Sequence, residues 1–185
     1  MKNKLGTRDI AYIAMGVALT AVCAWLTIPA AVPFTMQTFA VCLVAALLGL
    51  RRGLWAVGCY ILLGGLGAPV FSGFRGGFGV LLGTTGGYIA GFVFTALIVG
   101  FAADRWRRRF PALLAAMALG VLVCYVFGTV WFMLVYAKSS GPIGVGTALA
   151  WCVLPYLLPD AAKIALAASL VGRLRPLLFR EGRPE

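Results

Sequence analysis

Long apolar runs, separated by short polar or basic segments, set the pattern of this chain. An α-helix needs about 20 apolar residues to cross the hydrocarbon of a bilayer. The sequence supplies six runs of roughly that kind, over about 10–32, 36–50, 54–70, 86–103, 112–136 and 147–171. Each is too continuously apolar for the alternating strands of a transmembrane barrel. The pattern predicts an all-α polytopic membrane protein with six transmembrane helices, forming a single membrane domain over residues 1–185. The first run follows basic residues, as a signal peptide would. Its apolar core is too long for that and no small-x-small site follows it, so it reads as a retained helix.

Composition points the same way. The chain is 62% hydrophobic and 11% charged, with a mean hydropathy of +0.99, whereas a soluble domain carries about 25% charged residues. The net charge of +11 is distributed with a clear asymmetry. Lys2, Lys4 and Arg8 precede the first span, Arg51 and Arg52 separate the second and third, and Arg105, Arg107, Arg108 and Arg109 separate the fourth and fifth. Arg173, Arg175, Arg180 and Arg183 follow the sixth. Six spans put all of these on one side. Only Arg75 and Lys138 fall on the other, and Lys163 lies inside a span. The positive-inside rule then expects both termini in the cytoplasm, in a bacterial-type plasma (inner) membrane. The arginines read as topology determinants and contacts to anionic membrane lipids, not as a nucleic-acid site.

Several chemistries drop out. With no histidine there is no Ser–His or Cys–His pair and no histidine ligand for a metal. Cys23, Cys42, Cys59, Cys124 and Cys152 are scattered singly through apolar runs and read as small buried hydrophobes. The stretch GFGVLLG, Gly77 to Gly83, has the wrong spacing for a nucleotide loop, and no P-loop occurs. A non-enzyme with no metal, no cofactor and no energy source of its own is expected.

Three features exceed what lipid solvation requires. Between Gly64 and Gly91 lie 11 of the 24 glycines, interleaved with Val70, Phe71, Phe74, Phe78, Val80 and Leu81. Those apolar residues make the outside loop, about 71–85, read as a folded lid rather than a solvated strap. The segment VPFTMQTF, Val32 to Phe39, brings Thr35 and Gln37 to the start of the second span, where they serve equally as interfacial residues or as pocket groups. The segment LPDAAKIAL places Asp160 and Lys163 in the sixth span. A charge at the centre of a spanning helix costs about 2.5–3.5 kcal/mol on insertion scales. At a spacing of three the two side chains share a helix face. A structural pair is often replaceable by apolar residues without loss, so the pair reads as functional. Pro155 and Pro159 predict a bend beside it.

Depth links these features. Asp160 lies 13 residues before Arg173 and Gln37 lies 14 before Arg51, roughly 20 and 21 Å from the arginine side at 1.5 Å per residue. Tyr88 lies 17 residues before Arg105, roughly 25 Å. All fall in the outer half of a core of about 30 Å. One outward-opening polar pocket under a glycine-rich lid is the natural inference.

VPFTMQTF, GGFGVLLGTTGGY and PDAAK, in this order and on these spans, resemble the BioY family, the biotin-binding membrane (S) components of energy-coupling factor (ECF) transporters. The resemblance covers nearly the whole chain. It implies biotin capture and uptake without intrinsic ATPase activity, in company with a transmembrane coupling protein and ATPase subunits. One departure is Thr84, where the family commonly has proline. The resemblance also implies partner docking through Ala14 and Ala18 in the first span, an A-x-x-x-A pattern that by itself serves internal helix packing as well. For the ligand it implies Asp160 and Lys163 at the ureido ring, completed by Gln37, Thr35 and Tyr88. Gly77 and Gly79, in the glycine-rich lid, are counted among the substrate-binding residues, and Arg75 is set against the carboxylate. The rival readings are an S component for thiamine or riboflavin, and an intramembrane enzyme or assembly factor using Asp160.

Overall fold

The computed structural model describes residues 6–30, 32–106 and 109–178; Lys2, Lys4, Arg107, Arg108, Arg180 and Arg183 of the charge pattern lie outside them. Its first helix, α1 (Thr7–Trp25), ends seven residues before the expected limit. The chain leaves it through a short antiparallel ribbon, β1 (Thr27–Ile28) with β2 (Phe34–Thr35). Pro29 and Pro33 account for the early end, because a proline ring cannot join a helix interior. On the bundle side of α1, Gly16 lies against Val44, Leu48 and Ala56, too close for any larger side chain.

The next helix, α2 (Gln37–Gly65), runs through both the second and third predicted spans. No linker separates them: the reversal is made by Gly49 alone, at φ 79° and ψ −177°. That the two limbs fold back is plain from Gln37 and Tyr60, whose side chains meet at 2.6 Å despite 23 intervening steps along the chain. Gly49 permits the positive φ. A Cβ there would also lie 2.4 Å from Asp104 Oδ1. Asp104 in turn accepts the Leu50 N–H at 2.9 Å. Arg51 and Arg52, expected in a linker, are therefore in the first turn of the second limb. Cations are unfavourable there, and Asp9 and Asp104 counter them from neighbouring helices. The second limb ends at Gly65 rather than near 70, where Gly67 (φ 107°) and Pro69 follow.

Beyond the lid segment come α3 (Phe78–Leu82), α4 (Gly86–Arg105) and α5 (Phe110–Ser140). Gly87, Gly91 and Gly120 let α4 and α5 approach closely, the first under Trp131 and the second under Cys124. The sixth pass is broken: α6 (Val145–Cys152) stops at Val153 (φ −127°, ψ −57°) and α7 (Leu154–Leu178) resumes at once. Pro155 falls in the first turn of α7, where it costs no hydrogen bond. A break thus lies ahead of the ion pair, while Pro159, beside Asp160, lies inside α7.

The described helices include five long and apolar enough to cross a membrane; α2 crosses twice, so six passes result. Three contacts bring the arginine-bearing ends together. Arg52 pairs with Asp9, Tyr12 donates to the Leu178 carbonyl, and Leu50 donates to Asp104. Leu62, Val126, Leu134 and Leu158 are exposed on the outer surface, which suits a bundle whose solvent is lipid.

Candidate functional site

The early end of α1 and the short first limb of α2 leave a hollow on the side away from the arginines. The twelve steps from Gln37 to Gly49 rise only about 18 Å, so α2 begins well below the far surface. The chain 66–85 folds over this hollow. Phe71 is buried against Gly64 and meets the Tyr60 ring edge-on at 5.5 Å. Its N–H donates to the Arg75 carbonyl at 3.0 Å, closing a turn that contains a 3-10 segment, Ser72–Phe74. Trp25 stacks on Phe74 at 4.9 Å and donates to the Pro69 carbonyl. Trp131 of α5 donates to the Gly83 carbonyl at 2.9 Å. The expectation of a folded lid agrees with this tethering to α1, α2 and α5.

Under the lid, Thr35, Gln37, Arg75, Tyr88, Asp160 and Lys163 line one cavity, with about 680 Å³ of empty space counting its open mouth. Asp160 is the hub. Its Oδ1 accepts from Lys163 Nζ at 2.6 Å and from Thr38 Oγ1 at 3.1 Å, and its Oδ2 accepts from Tyr125 at 2.6 Å. Lys163 also donates to the Thr35 carbonyl at 2.7 Å, and its ammonium sits 3.9 Å from the centre of the Phe34 ring. Phe34 stacks in turn on Tyr156, whose hydroxyl donates to the Val32 carbonyl. The ion pair therefore ties α7 to α5 and to the β2–α2 corner.

Gln37 is fixed from two sides. Its Nε2 donates to the Tyr60 hydroxyl at 2.6 Å, and its Oε1 accepts from Thr35 Oγ1 at 3.0 Å. The Tyr60 hydroxyl in turn donates to the Val70 carbonyl at the base of the lid. The Tyr88 hydroxyl is 3.0 Å from Thr129 Oγ1, and its ring lies on Gly128. Among the described residues every buried side-chain nitrogen or oxygen has a partner. Such a network holds each group in place before any ligand arrives.

Gly77 and Gly79 do not line this cavity. Gly77 (φ 96°) donates its N–H to the Gly64 carbonyl at 2.6 Å and shapes the lid backbone. Gly79 lines a separate depression that it shares with Pro33, Arg75 and Thr84. Arg75 is exposed at the junction of both hollows, held by its Nε–H to the Ser72 carbonyl. Ala14 and Ala18 are exposed on α1, away from the Gly16 face that packs on α2. The sequence reading missed Thr38, Tyr125, Tyr156 and Phe34. The same depth count could have found Tyr125, 16 residues after Arg109 and so about 24 Å up.

The model of the BioY family matches residues 1–180. The chain is similar to the biotin transporter BioY of Thermotoga maritima, 38% identical over 161 residues, covering 86% of this chain and 91% of the relative. A probable biotin transporter BioY of Pyrococcus horikoshii is 36% identical over 169 residues, covering 91% of this chain and 96% of the relative. The crystal structure of the S-component for biotin from an ECF-type ABC transporter matches with a TM-score of 0.83 and 27% identity, over 98% of this chain and 96% of that one. Matched over nearly its whole length in both sequence and fold, the chain belongs to the BioY family.

Proposed function

We propose that this chain captures biotin in the cavity under the lid and serves as the substrate-binding membrane component of an ECF-type uptake system. The observation that carries the reading is the buried Asp160–Lys163 hub, whose free valences match a ureido ring. A carboxylate offers about four lone-pair sites, and three protein donors reach Asp160. One acceptor position is left for a ureido N–H. Lys163 uses two of its donors on Asp160 and Thr35, leaving the third for the ureido carbonyl. Gln37, Thr35 and Tyr88 complete the polar lining, while Phe71, Val80, Ile89 and Phe92 offer apolar surface to the thiophane ring and valeryl chain. Arg75 at the mouth faces the carboxylate, and Gly77 and Gly79 serve the lid's backbone. A ligand lacking one ureido group would leave a buried partner unpaired, which is how such a site discriminates.

The finer assignments follow from the same reading. Both termini lie in the cytoplasm and the cavity opens outward, as the arginine asymmetry favours. Ala14 and Ala18 face away from the bundle and supply the close-packing surface for a transmembrane coupling protein, which works with ATPase subunits. The chain carries its ligand without turning it over. Equilibrium binding of labelled biotin to the purified chain tests the proposal. One site per chain is expected, with Asp160→Asn weakening it about tenfold or more. Binding of thiamine or riboflavin in place of biotin would overturn it.

A further inference from the structure

Away from the cavity, α4 and α5 leave an open furrow on the lipid-facing surface of the bundle, at its arginine-bearing end. Its lining includes the buried small side chains Ala102 and Ala116 as a floor, with the more exposed Ala112, Ala115, Leu97 and Phe101 around it. At the membrane boundary it ends on Trp106 and Arg109. Among the described residues Arg109 has no ion-pair partner, and it is exposed. The sequence continues its charge with Arg107 and Arg108.

The dimensions select the occupant. From Arg109 to Leu119, the far lining residue on α5, is ten residues, or about 15 Å of helix. That is half of a hydrocarbon core of about 30 Å, the depth of a single leaflet. Beyond it the Phe94 and Phe127 rings meet across the two helices at 5.3 Å. The depression further along holds only apolar residues such as Val126 and Val130. A crossing helix of a partner would use the full height of this face. A furrow one leaflet deep, apolar throughout and closed at the boundary by a cation and an indole, has the shape and charge of a phospholipid.

We propose that an anionic phospholipid occupies the α4–α5 furrow, with one acyl chain on the alanine floor and its phosphate on Arg109. The aromatic belt position of Trp106 then holds the glycerol level. One arginine near an anionic headgroup favours binding about fivefold, so the site enriches an anionic lipid over a zwitterionic one of the same chain length.

The test is native mass spectrometry of the full chain extracted from vesicles of equal parts phosphatidylglycerol and phosphatidylcholine. The wild-type chain is expected to retain phosphatidylglycerol in at least about fivefold excess. Arg109→Gln should bring retention close to parity while the chain still carries lipid. Ala115→Phe projects a ring into the furrow from an exposed lining position and should remove the retained lipid. Val126→Phe, in the uncharged depression further along, should leave the excess intact and controls for folding. Equal retention of both lipids by wild type would overturn the proposal, as would an excess that survives Ala115→Phe. Displacement of the lipid by a co-purifying protein chain at one copy per protomer would also overturn it.

Discussion

Two ion pairs in this molecule close at the same distance in opposite settings. Lys163 to Asp160 and Arg52 to Asp9 each measure 2.6 Å. The first has side chains 6% and 5% exposed, the second 35% and 21%. Asp160 has exchanged water for Thr38, Tyr125 and Lys163, and Lys163 for Thr35 and the Phe34 ring. Asp9 has done less: its Oδ2 accepts the Gly6 N–H of its own helix, and Arg52 lies 5.8 Å from the Tyr12 ring centre. Burial raises both the cost of holding charges and the cost of separating them. Solvent at the membrane boundary lowers both. The distance is common to a buried hub and a boundary fastening; the surroundings tell them apart.

The largest effects are expected where the buried pair is broken on one side. Asp160→Asn keeps the shape and removes the charge, leaving the Lys163 ammonium buried with a carbonyl and a ring. A loss on the order of 3 kcal/mol in stability is expected, read as a lower thermal midpoint in detergent. Biotin affinity should fall by about tenfold to a hundredfold in the protein that remains folded. Unchanged affinity would remove Asp160 from the ligand's contacts. Replacing both charges, Asp160→Leu with Lys163→Met, separates the two roles. The double variant should recover stability to within about 1 kcal/mol of wild type and bind no biotin. If it is as unstable as Asp160→Asn, the pair is holding the bundle together rather than waiting for a ligand.

The sequence makes half of this contrast legible. Spanning helices need long apolar runs, so the six passes and the charge inside the last one stand out in the hydrophobic pattern. The depth count places Asp160, Gln37 and Tyr88 at one level, and the three line one cavity. Thr38 and Tyr156 stay hidden for a physical reason, and Tyr125 shows itself only to a depth count: a hydroxyl at the tip of an apolar body, or one beside a more polar neighbour, barely dents a hydrophobic run. The reversal between the second and third passes is legible from Arg51 and Arg52, but its place at Gly49 is not, because one residue at positive φ turns the chain and leaves both arginines inside the next helix limb. Gly77 and Gly79 mislead in the other direction. Glycine richness reports a backbone that bends and approaches closely, and in Gly77 the requirement is a lid hydrogen bond rather than room for a ligand.

Tyr125 gives an intermediate effect within the buried pair. Tyr125→Phe removes one donor from Asp160 Oδ2 and leaves Lys163 and Thr38 on Oδ1. A hydrogen bond to a charged group is worth about 1.5 kcal/mol or somewhat more, so the thermal midpoint should drop modestly. Biotin binding should weaken by about tenfold or less, because the freed oxygen becomes available to the ligand. Tighter binding in a titration would mean that Tyr125 competes with the ureido N–H instead of orienting its acceptor.

The boundary pair should give the smallest change. Asp9→Asn removes the charge facing Arg52 while keeping an oxygen for the Gly6 N–H at the start of α1. Arg52 keeps the Tyr12 ring and water. An exposed pair of this kind contributes about 1 kcal/mol or less, and screening at high salt should erase the difference between variant and wild type. Biotin affinity should not move, since the cavity lies at the opposite end of α1 and α2. A loss as large as that of Asp160→Asn would show that the arginine-bearing end holds α1 in place by this contact. The face of α1 carrying Ala14 and Ala18 would then depend on a charge that its own exposed position leaves open to salt.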